Sequence, residues 1–186
     1  MKQLSRKSTV FNGTLYEYTV MAALRKLSRG FALTRTGGAN DRGIDVRGTW
    51  TVPAAARPQK STAATRRSAD ASPPPAELRT LRLVVSCKAE KAKPAVRHFR
   101  ELAGTLPAED RHTLAILAAQ QPATVQGQRQ LLAWDRPMAF LCVDSYADLG
   151  RVRQFYWNQA AQEFLQGVRV VEVVSASGPS LRLVAA

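Results

Sequence analysis

The stretch Leu81-Arg82-Leu83-Val84-Val85-Ser86-Cys87-Lys88 decides the fold. Its branched apolar residues predict a β-strand over 81–87, with Lys88 at the strand end. Two further runs, at 113–118 and 138–143, are short and almost wholly apolar. Runs of this kind are typical of strands in a sheet that is covered on both faces. Together the three runs predict a buried central sheet.

Helical periodicity and turn residues place the other elements around this sheet. The apolar spacing predicts four helices, over 15–29, 95–106, 124–134 and 146–165. Asn12 or Thr14 is the predicted cap of the first. The last is predicted as one long amphipathic helix that ends at Gly167. Strands are predicted over 31–36 and 43–50, joined as a hairpin by a Gly-rich turn at 37–41, and over 168–174 and 181–184. The fold class that follows is α/β, with a mixed central β-sheet flanked by helices.

The chain is strongly basic. Its 186 residues carry 27 Lys and Arg against 14 Asp and Glu, a formal net charge of +13. This excess favours a polyanionic partner, which could be DNA, RNA or an anionic membrane surface. Many mitochondrial and ribosomal proteins are equally basic, so the charge alone defines no chemistry. No stretch is apolar and long enough to cross a bilayer, and we expect no integral membrane association.

The cysteines and histidines exclude several kinds of site. Cys87 and Cys142 lack the CxxC spacing of zinc sites, and two histidines are too few for a His-rich metal site. We expect Cys87 to be a small buried apolar residue facing the layer opposite its neighbours. His98 is expected at the surface. Tyr156 and Trp157 are expected to pack in the core rather than to stack on bases.

Two segments differ in composition from the rest. Residues 1–12 form a basic N-terminal segment that contains Lys2, Arg6 and Lys7 and no acid, as in the remnant of a mitochondrial transit peptide. Residues from about 51 to 80 are rich in Ala, Pro, Ser and Thr and predict a flexible insertion between two strands of one sheet. Residues 13–186 are therefore expected to form a single domain that carries this insertion.

Four polar side chains on neighbouring elements form a candidate site. Glu17 lies on the first helix and Asp45 on the second strand, while Ser86 and Lys88 lie two residues apart on the third strand. Residues two apart on a strand point to the same face. Carboxylates bind Mg²⁺, which polarises a phosphoryl oxygen and lowers the pKa of bound water. A lysine beside that water steadies the negative charge that develops.

Each of these residues also has an ordinary structural role. Asp45 could pair with Arg42 or Arg47 in the hairpin. Lys88 could be a solvated strand end, and the helix dipole favours an acid such as Glu17 near a helix start. Only their joint occurrence points to a catalytic site.

Three short motifs occur in an order and spacing that are characteristic of a known family. They are Gly-Thr-Leu-Tyr-Glu at 13–17, Thr-Gly-Gly-Ala-Asn-Asp-Arg-Gly-Ile-Asp at 36–45, and Val-Ser-Cys-Lys at 85–88. This set resembles the Mrr-like branch of the PD-(D/E)XK nuclease superfamily. The resemblance implies a restriction endonuclease-like fold and hydrolysis of DNA phosphodiesters with Mg²⁺ (or Mn²⁺) as cofactor.

Two later segments resemble a narrower family of fungal mitochondrial proteins. They are Ala-Thr-Val-Gln-Gly at 123–127, and Phe-Tyr-Trp-Asn at 155–158 followed by Gly-Val-Arg-Val at 167–170. This second resemblance implies a mitochondrial location. Taken with the nuclease resemblance, it implies a role in maintaining mitochondrial DNA.

The nuclease resemblance implies a role for each site residue. Asp45 matches the metal-binding acid, Lys88 the catalytic lysine, and Glu17 the acid of the first helix that supports the metal. Ser86 departs from the family, which has Glu or Gln there; its hydroxyl could hold a metal-bound water. The backbone carbonyl of Cys87 could serve as a further metal ligand.

Four basic residues flank this site: Arg42, Lys91, Lys93 and Arg97. Contacts of this kind to phosphates position a duplex without reading its sequence, so little sequence specificity is expected. The expected partner is nucleic acid, DNA in the first instance. The alternative, motivated by Ser86, is a protein that keeps the nuclease fold without catalysis and binds nucleic acid at the nucleoid or the mitochondrial ribosome.

Overall fold

The computed structural model describes residues 9–38, 43–53, 77–148, 150–175 and 178–185. The first helix, α1 (Thr9–Leu27), ends near the predicted stop at Gly30 but begins before both predicted caps, Asn12 and Thr14. The predicted helix start is therefore wrong. Asn and Gly inside a helix each cost only about 1 kcal/mol or less, which the neighbouring turns offset.

Six strands form one mixed sheet in the order β1-β2-β3-β4-β5-β6. They are β1 (Phe31–Arg35), β2 (Val46–Pro53), β3 (Leu78–Lys88), β4 (Thr113–Ala119), β5 (Met138–Val143) and β6 (Val152–Trp157). The first three are antiparallel neighbours, β3, β4 and β5 are parallel, and β6 lies antiparallel to β5 at the edge. The predicted α/β class with a mixed central sheet is confirmed.

Helices cover both faces of the sheet. One face carries α1 and α4 (Gln159–Leu165), and the other carries α2 (Val96–Thr105) and α3 (Val125–Leu132). Along β3, Val85 packs in the core on the α1 face, whereas Val84 packs with the α2 residues on the other. The alternation of side chains along each strand thus divides the core into two layers.

The predicted long helix over 146–165 is wrong. The segment holds a 3-10 turn (Tyr146–Asp148), then strand β6, then the seven-residue α4. Gly150 adopts a left-handed conformation with a φ of 59°, which breaks a helix. Asn158 then caps α4, because its Oδ1 accepts the Ala161 amide at 3.0 Å. Aromatic and branched residues at 152–157 favour the edge strand, which gains backbone hydrogen bonds from β5.

The predicted terminal strands form a separate antiparallel hairpin rather than part of the central sheet. They are β7 (Val168–Ser175) and β8 (Gly178–Ala185). Strand β8 contacts β6 and α1, which holds the hairpin against the α1 face.

The first and last residues of the segment predicted as an insertion, 51–53 and 78–80, are paired strand residues. Thr51 pairs with Thr80 and Pro53 with Leu78, so both ends of the segment belong to β2 and β3. Residues 54–76 lie outside the described residues, as do residues 1–8 of the predicted basic segment. Among the described helices, none combines the length and the apolar character that a membrane crossing requires.

Candidate functional site

Asp45 is fixed at the junction of three strands, directly before β2. Its amide donates to the carbonyl of Val85 at 2.9 Å, and its own carbonyl accepts the amides of Thr36 at 2.8 Å and Gly37 at 2.9 Å. Its carboxylate Oδ2 accepts the backbone amide of Cys87 at 2.6 Å. The Asp45 side chain is therefore held against the last residues of β3.

Glu17 reaches the same region from α1. It is buried, with 9% of its surface exposed, and its Oε2 forms an ion pair with Nε of Arg35 at the end of β1. A Cβ placed on Gly37 would lie 3.0 Å from the same carboxylate oxygen. Because the Gly37 amide donates to the Asp45 backbone carbonyl, the Glu17 carboxylate and the Asp45 backbone contact the same turn.

The charges of Asp45, Glu17 and Lys88 all affect the pKa of the Cys87 thiol. Burial raises the pKa of Cys87 well above its ordinary value, and the negative charges of Asp45 and Glu17 raise that pKa further. The positive charge of Lys88 acts in the opposite direction. The Cys87 thiol therefore stays protonated, and a protonated thiol is a poor nucleophile.

Ser86 and Lys88 share the opposite face of β3, as their spacing predicts. Together with Gly43 they line a cavity of about 360 Å³, which Glu101 and Leu102 of α2 close. Ser86 is buried, and Nζ of Lys88 lies 3.3 Å from Oε2 of Glu101. Cys87 packs against the core on the α1 face, which confirms the expected alternation.

The predicted phosphate-binding residues line the approach from the α2 side. Lys91 and Lys93 are exposed in the segment between β3 and α2. Arg97 is exposed at the start of α2, with Nη2 at 3.9 Å from Oε2 of Glu90. Arg42 lies outside the described residues.

Carboxylates in the described part of the chain do not form a closed metal cage. Within the ranges listed above, no group of three or more His, Cys, Asp or Glu side chains is close enough to hold an ion. Glu17 lies beside Gly37, and the Gly37 amide donates to the Asp45 backbone carbonyl. A cation held there would need further ligands from backbone oxygens, water or a substrate.

For three residues near the site the structure adds to the sequence prediction: one was predicted wrongly and two were not predicted. His98 is buried rather than exposed, because its Nδ1 accepts the Ala95 amide at 3.1 Å and so caps α2. Arg35 and Glu101, the ion-pair partners of Glu17 and Lys88, were missed. No local sequence signal marks either pair, since each joins a helix to a strand.

The two later motifs have structural roles. Thr124 caps α3, because its Oγ1 accepts the Gly127 amide at 3.1 Å. Any Cβ on Gly127 would lie 2.7 Å from the Phe99 ring, so glycine lets α3 pack closely on α2. Asn158 ties α4 to β5, since its Oδ1 also accepts the Met138 amide at 3.1 Å.

Fold and site define an α/β protein with a mixed sheet, in which the Asp45 carboxylate is bonded to the amide of Cys87, the residue next to Lys88 at the end of β3. Residues 8–174 match the model of a family described as "Required for respiratory growth protein 7". The chain belongs to that family, which is the narrower fungal mitochondrial family that its later motifs resemble.

Several curated relatives are similar over most of the chain. The required for respiratory growth protein 7 of Saccharomyces cerevisiae (strain ATCC 204508 / S288c) is 30% identical over 198 residues, covering 89% of this chain and 82% of the relative. That of Zygosaccharomyces rouxii is 32% identical, covering 92% and 83%. An uncharacterized mitochondrial protein of Schizosaccharomyces pombe is 30% identical, covering 97% and 64%. All three are named mitochondrial, which confirms the predicted location. No solved structure matches the chain.

Proposed function

We propose that this protein is a metal-dependent nuclease that hydrolyses phosphodiester bonds of mitochondrial DNA. One observation carries the proposal: the Asp45 carboxylate is bonded to the amide of Cys87, the residue next to Lys88 on β3. An acid fixed beside the strand that carries the lysine is the arrangement that the PD-(D/E)XK resemblance requires. The mixed sheet with helices on both faces agrees with a restriction endonuclease-like fold.

The acids present fit Mg²⁺ or Mn²⁺ as the cofactor. Mg²⁺ needs only one or two protein carboxylates, because it keeps several waters and accepts phosphate oxygens. Asp45 and Glu17, which both contact the turn at Gly37, would hold it, with the Cys87 carbonyl as a further ligand. When bound, such an ion polarises a phosphoryl oxygen and lowers the pKa of a bound water.

In this proposal Lys88 stabilises the negative charge of the reacting phosphate. Its side chain is 24% exposed and pairs with Glu101, which is 57% exposed. Exposed pairs of this kind contribute about 0–1 kcal/mol, so a phosphate can displace Glu101 at little cost. The buried Ser86 hydroxyl lies in the same cavity and can orient a water. Lys91, Lys93 and Arg97 would hold the neighbouring phosphates.

Cleavage assays with three proteins test the proposal. Supercoiled, linear and branched DNA are incubated with wild type, Lys88→Ala and Glu101→Gln, in Mg²⁺, in Mn²⁺ and in EDTA. We expect metal-dependent cleavage by wild type, no cleavage by Lys88→Ala with DNA binding almost unchanged, and activity retained by Glu101→Gln. Cleavage that survives Lys88→Ala in clean protein contradicts the proposal.

A second candidate function is nucleic-acid binding without catalysis. Two observations favour it: Ser86 replaces the usual acid or amide, and the Glu17 carboxylate is paired with Arg35. Calorimetry separates the candidates. Absence of any heat on adding Mg²⁺ or Mn²⁺, together with tight, salt-sensitive binding of nucleic acid, supports the binding protein; metal-dependent heat supports the nuclease.

A further inference from the structure

A groove separates α1 from the turn that follows β5. Its volume is about 540 Å³, within the range of pockets that bind small organic groups. Its floor is mostly apolar, and the Thr19 hydroxyl is already bonded to the Leu15 carbonyl. Its described lining residues are Leu15, Tyr18, Thr19, Ala22, Ala23, Lys26, Tyr146, Ala147 and Gly150.

Two exposed tyrosines belong to the lining of this groove. Tyr18 is 55% exposed and Tyr146 is 66% exposed, and they are the two aromatic residues among the exposed large apolar side chains of the described chain. Both line the groove. An exposed aromatic ring offers a flat apolar surface on which another flat ring can stack.

Three cationic side chains lie in or beside the groove. Lys26 lines the groove, and Arg182 lines an adjoining cavity that shares Ala23, Lys26 and Gly150 with it. Arg35 lies with its guanidinium carbon 5.9 Å from the centre of the Tyr18 ring. Arg35 also pairs with Glu17, so the groove adjoins the candidate active site.

We propose that the groove binds single-stranded nucleic acid, with unpaired bases stacked on Tyr18 and Tyr146 and phosphates beside Lys26. Aromatic platforms flanked by basic residues bind single strands because every base presents a flat face and every nucleotide a negative charge. Bases inside a duplex are not accessible for such stacking. This inference rests on the proposed function, because it names an unpaired strand as the substrate of the candidate nuclease site.

Binding without catalysis tests the groove separately from the nuclease. Fluorescence anisotropy in EDTA measures the affinity for a short oligothymidine, an RNA oligomer and a DNA duplex of equal length. The proteins are wild type, Tyr18→Ala, Tyr18→Phe and Tyr146→Ala. The matched control is Leu132→Ala, which truncates an exposed apolar residue on α3.

We expect each Tyr→Ala change to weaken single-strand binding by roughly 5- to 150-fold, the range for loss of one stacked base. Tyr18→Phe and Leu132→Ala should bind like wild type, and duplex affinity should change little. Lys26→Ala should reduce the log–log salt dependence for single strands by about 0.7. If the Tyr→Ala variants lose affinity equally for single-stranded DNA and RNA, the groove binds single strands in general. If they lose affinity for only one of the two, the groove selects the deoxyribose or ribose of that nucleic acid.

Wild-type affinity in both Tyr→Ala proteins overturns the proposal, as does the absence of single-strand binding by wild type. The two proposals fail separately. If wild type cleaves DNA while the tyrosine variants bind normally, the nuclease stands and the groove does not. If wild type never cleaves but the tyrosine variants lose single-strand binding, the groove stands alone.

Discussion

The Asp45 carboxylate accepts the backbone amide of Cys87 at 2.6 Å, across 42 residues of sequence. This bond joins the entry of β2 to the end of β3. It places a negative charge beside the strand that carries Lys88, so one interaction serves both the fold and the site.

The bond predicts a different stability for two substitutions of Asp45. Asp45→Ala leaves the Cys87 amide without its acceptor, which we expect to lower the free energy of unfolding by about 1–3 kcal/mol. Asp45→Asn retains a side-chain oxygen acceptor and should lose less than Asp45→Ala. Urea unfolding measures the free energy of unfolding of both variants. Equal free energies for Asp45→Ala and Asp45→Asn would show that the bond contributes nothing to the fold.

Gly37 contacts both the Glu17 carboxylate and the Asp45 backbone. In Gly37→Ala the new Cβ would lie 3.0 Å from Glu17 Oε2, so the carboxylate must shift. We expect the dissociation constant for Mn²⁺ to rise several-fold, with little loss of stability. Gly38→Ala is the matched control, because a Cβ at Gly38 meets no atom of the described residues within 4 Å. The same affinity in both variants would remove Glu17 from the metal site.

Tyr16 anchors α1 to the sheet, since its hydroxyl donates to the Val143 carbonyl at 3.0 Å. Burial raises the pKa of Tyr16 far above its ordinary value of about 10. Tyr16→Phe should lose about 1 kcal/mol of unfolding free energy at neutral pH. Above about pH 10 the unfolded chain releases a proton that the folded chain keeps, so wild-type stability falls as the pH rises.

The phenylalanine variant lacks this proton, so its stability deficit should shrink as the pH rises above about 10. Urea unfolding of both proteins near pH 7 and above pH 10 gives the comparison. A deficit that stays constant over this range would mean that the Tyr16 hydroxyl is ionised equally readily in the folded and unfolded states.

Asn158 connects three elements through its buried side chain. Its Nδ2 donates to the carbonyls of Trp134 at 3.0 Å and Arg136 at 2.8 Å, and its Oδ1 accepts two backbone amides. Asn158→Ala leaves several buried polar groups unpaired, and we expect it to cost roughly 3 kcal/mol or more. Thermal unfolding beside the exposed-site control Gln159→Ala checks this; matched melting temperatures would contradict the role of Asn158.

The sequence predicts those parts of the fold that depend on local pattern. The run 81–88 identifies β3, and its period of two places Ser86 and Lys88 on one face. The segment 146–165 was misread because its apolar residues suit both a helix and an edge strand. The difference is decided by pairing with β5, which lies outside the segment.

The partners within the site could not be read from the sequence. Arg35 pairs with Glu17 across 18 residues, and Lys88 pairs with Glu101 across 13. Both pairs depend on where a helix crosses a strand. That crossing is set by the packing of the two core layers rather than by local spacing.

Metal binding by the wild-type protein and by Asp45→Asn is the most direct test of the central claim, that Asp45 and Glu17 hold a divalent cation beside Lys88. Electron paramagnetic resonance of free Mn²⁺ measures bound ion in each protein, and the asparagine retains an acceptor for the Cys87 amide. We expect one Mn²⁺ site in wild type and its loss, or a rise of at least tenfold in the dissociation constant, in Asp45→Asn. Identical Mn²⁺ binding by the two folded proteins, or none by either, would contradict the claim.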